Sequence, residues 1–478
     1  MGGGALTLTG GSSGSGDRGD RRRGMREIAS FIALNRFGLG AAPGDEAHVA
    51  GDPRGWLQAQ ITPDPRYPLV YARRRSSADI LHAIFSARQE GAEARAAAIR
   101  RAFRREYNPA MVARLRLMIA SDTPFVDRMT LFWSNHFTLS TTRRVSAPAI
   151  PAYEREAIRP HIFGRFSDML RAVISHPCML IYLDNVASAG PNSPVGRRQI
   201  RRRGTAQTLN ENLAREVLEL HTLGVTGGYT QADIIALAKA LSGWGHGGMD
   251  ADEGETEGHG GFAFLPRYHE PGAKTVLGRR YEEAGVAEGM AILDDLARHP
   301  ATAQHIATKL VRHFVADDPP AAAVAQIATV FRDSDGDLGA VSRALINLDA
   351  AWVDPLAKVK SPIDYVLSVH RASERIRATR ADLFVPLQAL GQLPFSAPSP
   401  QGWGDTAADW IAPESLMRRI EWARGFAATL PATRHPEPFL EAVIGPVASA
   451  ETRTWVRRAP SHDAALALIF ASPEFQRR

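Results

Sequence analysis

A chain of 478 residues can bury a sizeable core and, on length alone, could form two or three domains. Its 44% hydrophobic and 23% charged residues are those of an ordinary globular protein, not of a disordered or fibrous chain. The formal net charge is +6, and only five of the 57 basic residues are lysines, at positions 239, 274, 309, 358 and 360. Replacement of Lys by Arg together with abundant Ala reads as a coding bias, which removes the mild basicity as an argument for a nucleic-acid partner. The single cysteine, Cys178, excludes an intramolecular disulfide and a CxxC metal site, and its apolar surroundings read as core. No run reaches the roughly 18 apolar residues of a membrane span.

Residues 1–24 are rich in Gly, Ser and Arg and hold no apolar core of the length a signal peptide needs. They read as a disordered extension before a folded part at 25–478, with a cytoplasmic location as the default. A short helix from Met25 leads into the glycine-punctuated segment Asn35 to Gly40. Asp52-Pro53 opens another helix, with Pro in its first turn. Arg100, Arg101, Arg104 and Arg105 read as the solvated face of a helical stretch. Pro124 opens an apolar helix that ends on Trp133, Asn135 and His136, where a histidine is more often a hydrogen-bonded core or capping residue than a ligand.

Glu154, Arg155, Glu156 and Arg159 form a charge cluster expected to be ion-paired. A polar turn-rich loop with Asp184, Asn185 and Asn192 follows, and then the basic run Arg197–Arg203, the best anion-binding candidate by charge alone but expected as a mobile solvated loop.

The densest run of polar chemistry on a helical pattern is LNENLAREVLELHTLG, Leu209 to Gly224. At about 100° per residue, Glu211, Asn212, Arg215, Glu216 and Glu219 share one arc opposite Leu213, Val217 and Leu220. Gly224 is placed to stop that helix, and Thr230 with Asp233 forms a capping box for the next. Residues 245–261 are acidic, Gly-rich and without an apolar anchor, as a flexible surface loop would be. FAFLP and KTVLG then suggest one β-hairpin, with His269 and Lys274 near its tip. Beyond it the pattern is helical to the end, the C-terminal part running from about 385 to 478. In the helix after Pro300, His305, Lys309, Arg312 and His313 form a basic stripe beside Ile306, Leu310 and Phe314. Asp333, Asp335 and Asp337 mimic a calcium loop, but helix capping accounts for them.

A serine-hydrolase elbow, a P-loop, a dinucleotide fingerprint and HExxH are all absent from the sequence. What remains is a scattered polar set. Glu216, Glu219, His136 and His269 are the candidate acids, bases and proton partners. Arg215, Asn212, Lys274, Asn135 and Asn192 are the candidate ligand-binding groups, Arg215 able to clamp an anion by two hydrogen bonds. No metal site is assigned, because Glu219 and His221 lack the ExxH spacing of helix-bundle metal ligands. Any cofactor is left open.

The segments ALNRFGLGA, FWSNHFTLS, YEREAIRPHIFGRFSDML, LNENLAREVLELHTLG, HEPGAKTVLG and HPATAQHIATKLVRHF stand in an order that resembles the bacterial family called domain of unknown function 1800. The resemblance runs from about Asn35 to Trp352 and more weakly beyond. It implies no established activity. It does imply that many relatives are exported, and that a neighbour-encoded protein with a sulfatase-like fold is a candidate partner.

The expected fold is mainly α, a single large multi-helix domain with one small hairpin. Two functions stay open. One is a hydrolase-like enzyme with a polar cleft centred on helix 209–222, taking a small-molecule or carbohydrate ligand. The other is a non-catalytic binding or assembly protein whose polar helix is a buried ion-paired strut.

Overall fold

A computed structural model of the protein describes residues 14–203, 208–247 and 260–478. It is mainly α-helical, as the periodicity predicts. Helix α1, Gly14–Ile32, runs on into a π-helical turn, Ala33–Phe37. It therefore includes residues 14–24 of the stretch expected to be disordered, while residues 1–13 lie outside the described residues. Helix α2, Pro124–His136, starts with Pro in its first turn and is buried almost all round, as its apolar sequence requires.

Helix α3, Asn212–Glu216, is shorter than the 209–222 helix that the wheel supposes. Its continuation, Val217–His221, is a π-turn. Arg197–Arg203 is not a loop: the helix Pro194–Arg203 carries it, with Ser193 Oγ accepting from Gly196 N at 3.0 Å. Thr230 and Asp233 form the expected capping box.

The one expected hairpin is instead two separate two-stranded antiparallel sheets. Strand β1, Trp244–His246, pairs with β2, Phe262–Phe264, and β3, Lys274–Val276, pairs with β4, Arg279–Tyr281. The 3₁₀ turn Pro266–Tyr268 and the Gly272 bend part the FAFLP and KTVLG segments, so the first pairs back with 244–246 and the second forward with 279–281. Most of the acidic 245–261 segment, residues 248–259, lies outside the described residues.

Helices α4, Val286–Arg298, and α5, Pro300–Phe314, are amphipathic and bury Ile292, Leu296, Ile306, Leu310 and Phe314. Asp337 caps the helix after the aspartate-rich turn, accepting from Ala340 N at 2.9 Å. Helix α6, Pro362–Ala372, starts at the N-cap Ser361 and is followed by further helices to Ala471. No helix among the described residues is long and apolar enough to cross a membrane.

The apolar side chains form two main clusters. The larger includes Phe37, Phe125, Trp133, Phe166, Leu310 and Phe314. The second gathers Met111, Leu115, Tyr365, Val369 and Phe470, and Phe395 packs against both. Helices α2 and α5 belong to the first cluster and α6 to the second. The seam between them is tied by buried charge. Asp364 on α6 accepts from Arg128 Nη1 at 2.6 Å and faces Arg478 Nε at 3.4 Å. Glu154 accepts two bonds from Arg114, both 2.6 Å, and one each from Tyr67 Oη and Ser134 Oγ. Of the 154–159 charge cluster, Glu154, Glu156 and Arg159 are ion-paired as expected, though with distant partners: Arg114, His176 and Asp127.

Candidate functional site

Where the two apolar clusters meet, a cavity of about 550 Å³ opens, within the range of small-molecule sites. Its walls come from the end of α2 (Ser134, Asn135, His136), the last turns of α5 (Lys309, Arg312, His313), the start of α6 (Ser361, Asp364) and the loop 392–409. That loop is held by a reciprocal pair with Asn135, whose Oδ1 accepts from Trp403 N at 2.8 Å and whose Nδ2 donates to Trp403 O at 2.9 Å. Gly402 permits the approach. Its φ is +84°, and a Cβ there would lie 2.5 Å from the Asn135 carbonyl oxygen.

The loop delivers Asp405 to His313, whose Nδ1–H donates to the carboxylate at 2.7 Å. Burial alone would raise the Asp405 carboxyl, but His313, Lys358 and Arg478 hold it well below the usual carboxylate range. Burial also pushes the imidazole down, to about 4, against the pull of Asp405, so His313 is neutral at pH 7. With its proton on Nδ1, the lone pair is on Nε2, which is buried and has no hydrogen-bond partner among the described residues.

One turn earlier on α5 stands Lys309. It is closely surrounded by protein yet opens onto the cavity, and its Nζ meets no hydrogen-bond or ion-pair partner among the described residues. Burial lowers its ammonium to about 8, with Asp405 opposing the shift and Arg312 adding to it. Beside it lie three imidazoles. His136 donates from Nε2 to the His221 carbonyl at 3.2 Å, and His305 donates from Nε2 to the Leu220 carbonyl at 3.1 Å. Both acceptors sit on the π-turn, whose widened geometry leaves carbonyls outside the i→i−4 pattern. Burial first, then Lys309 and the neighbouring imidazoles, hold His136 well below the ordinary histidine value. Burial likewise takes His221 to about 3 and His305 to about 4.

The remaining sequence candidates stand elsewhere. Arg215 bridges Glu211 and Glu219, each at 3.3 Å, on a half-exposed face, with Asn212 exposed beside it. Glu216, near Glu219, is raised by partial burial and then by that like charge. Helix α3 thus meets His136 through the backbone of its π-turn and not through its carboxylates. His269 and Lys274 form a buried cluster on Glu288: Lys274 Nζ lies 3.1 Å and His269 Nε2 3.3 Å from Glu288 Oε2. Asn192 holds Glu270, donating from both N and Nδ2. Only Asn135 and His136 of the named candidates line the cavity.

Asp405 was not among the sequence candidates. It sits in a Trp/Gly/Pro-rich loop without periodicity, and only its proximity to the His305–His313 stripe reveals it. Among the described residues no group of three or more His, Cys, Asp or Glu side chains is placed to hold a metal ion.

The family model described as protein of unknown function (DUF1800) matches residues 32–477. The chain belongs to this family. Neither a curated protein nor a solved structure matches it. The DUF1800 match spans every residue of the cavity wall and both apolar clusters except Phe31.

Proposed function

We propose that this DUF1800 protein is a hydrolase-like enzyme that works in the 550 Å³ cavity, with His313 as general base and Asp405 as the group that orients it. The observation that carries the reading is the His313 Nε2 lone pair, buried, unpartnered and fixed by the Asp405 bond to Nδ1. A carboxylate on one ring nitrogen sets the tautomer and stabilises the imidazolium that forms when the other nitrogen takes a proton. His313 would take a proton from a water molecule, whose oxygen attacks an electrophilic carbon or phosphorus of the bound molecule. The proton then passes to the leaving group. His136 supplies a second neutral imidazole in the wall, and Asn135 holds the loop that carries Asp405. The half-buried Trp403 offers an indole against which a small molecule, a carbohydrate included, can stack.

In this reading Glu216, Glu219, Arg215 and Asn212 take no part in the chemistry. A second reading, a non-catalytic protein with internal struts, draws on one observation. The Lys274–Glu288–His269 cluster and the Arg215 pairs are largely satisfied within the chain.

A panel of chromogenic carboxyl esters, phosphate esters and glycosides separates the two. Hydrolysis by the wild type that is lost in His313→Asn and Asp405→Asn, with both variants still folded at the assay temperature, supports the enzyme. Hydrolysis that survives His313→Asn at the wild-type rate sinks it.

A further inference from the structure

We infer that the molecule bound in this cavity carries an oxyanionic group, a carboxylate or a phosphate, seated on Lys309 and Arg312. This rests on the cavity being the reaction site and deepens that reading by naming the substrate class.

The argument is one of charge pairing around the cavity wall. Every wall carboxylate is already engaged. Asp364 is held by Arg128 and faces Arg478, and Asp405 is held by His313 and also faces Lys358 and Arg478. Asp409 caps its own short helix, accepting from Thr406 N at 2.9 Å and Thr406 Oγ1 at 2.7 Å. Two of the wall's four Lys and Arg side chains are matched as well: Arg114 by Glu154 and Arg128 by Asp364.

Lys309 and Arg312 are not. Among the described residues neither has a carboxylate within 4.0 Å, and Arg312 makes one hydrogen bond, from Nε to the Asp317 carbonyl at 3.3 Å. They lie three residues apart on α5, hence on neighbouring positions of one face. Two like charges on one helix face repel each other, and Lys309 also loses hydration where protein surrounds it, a cost that an interior normally removes by pairing. Here the missing partner is an anion from outside the chain. The lowered Lys309 ammonium is the electrostatic sign of the same deficit, and a bound anion would raise it again. The pair also divides the labour expected of an oxyanion site: a compact ammonium as point charge and a guanidinium with several donors. Lys309 persists, moreover, in a chain where 52 of 57 basic residues are Arg.

The test titrates the full-length protein with inorganic phosphate and, separately, with acetate against a chloride background. Calorimetry and melting temperature are the readouts. Saturable binding of either anion is expected, weakened at least tenfold by Lys309→Met and by Arg312→Met and largely kept by Lys309→Arg. Phosphate binding without acetate binding assigns a phosphate, and the reverse assigns a carboxylate. Because each Met variant removes an unpaired cation, its unliganded melting temperature should hold or rise, which separates lost binding from lost folding. No saturable binding of either anion, or equal binding by Lys309→Met, overturns the inference. His313→Asn is expected to bind the anion within about twofold of wild type. If it does and also retains hydrolysis, the catalytic reading fails while the anion site stands. If hydrolysis depends on His313 but anions bind Lys309→Met normally, only the anion site fails.

Discussion

His313 and Asp405 lie 92 residues apart in sequence and 2.7 Å apart in the fold, and their bond leaves one imidazole nitrogen buried without a partner. Replacing the carboxylate by a carboxamide tests what that bond does. In Asp405→Asn the charge that stabilises the imidazolium is gone, and the amide can donate as well as accept, so the tautomer is no longer fixed. Hydrolytic kcat should fall by about 10²–10⁴, the range of a positioned general base. Lys358 and Arg478 also lose part of their counter-charge, so a lower melting temperature is expected. A circular-dichroism melt beside the rate measurement keeps the two effects apart.

The four histidines around the cavity set a pH dependence of stability. In the folded protein His305 and His313 titrate at about 4 and His221 at about 3, and His136 is held well below the usual value. In the unfolded chain each titrates near 6.5. Between those values the unfolded chain binds more protons, so stability is fully present above about pH 6.5 and falls as the pH drops towards 4. His305 and His313 each account for a loss on the order of 3 kcal/mol across that window. The depressed carboxyls of Asp364 and Asp405 extend the loss below about pH 3.8. Melting temperatures from pH 7.5 to 4 should therefore slope steeply below 6.5. A flat profile down to pH 4.5 would show that these imidazoles are not buried neutral.

Glu154 is a fully buried charge whose removal leaves a cation unpaired. Burial would raise its carboxyl, but Arg114, Tyr67 and Ser134 together keep it ionised. Glu154→Ala strands the Arg114 guanidinium in a dry interior, at a cost of about 3–5 kcal/mol. Denaturant titration should show the midpoint shifted to lower concentration, with little change for Glu154→Asp if the ion pair re-forms.

The helical class was legible because its signals are local. Periodicity marks α5, Pro marks the starts of α2 and α6, and Thr230 with Asp233 marks a capping box. The basic stripe from His305 to His313 was equally visible, since it needs only spacing along one helix. The five lysines were informative too: none is exposed, and Lys274, Lys358 and Lys360 are buried. Asp405 was not legible, because a loop held by Gly402 and Asn135 brings it to a helix 92 residues away, and no period encodes that path. The role of 209–222 was half legible. Its link to His136 exists, but the π-turn that makes it is a backbone event, and a wheel drawn at 100° per residue directs attention to Glu216 and Glu219 instead.

Arg215 and Gly402 make opposite predictions from similar-looking changes. Arg215 joins two carboxylates on a face where its own side chain is 38% exposed, and such pairs contribute less than about 1 kcal/mol. Arg215→Ala should lower the melting temperature only slightly and leave hydrolysis and anion binding unchanged. Gly402→Ala adds one methyl group at φ +84° against the Asn135 carbonyl. The loop must shift to admit it, carrying Trp403 and Asp405 away from α2 and α5. Hydrolysis should therefore fall at least tenfold, while stability drops by only about 1–2 kcal/mol, the cost of local backbone strain. If Arg215→Ala impairs turnover and Gly402→Ala does not, the chemistry belongs to the helix 209–222 face and not to the cavity beside His313.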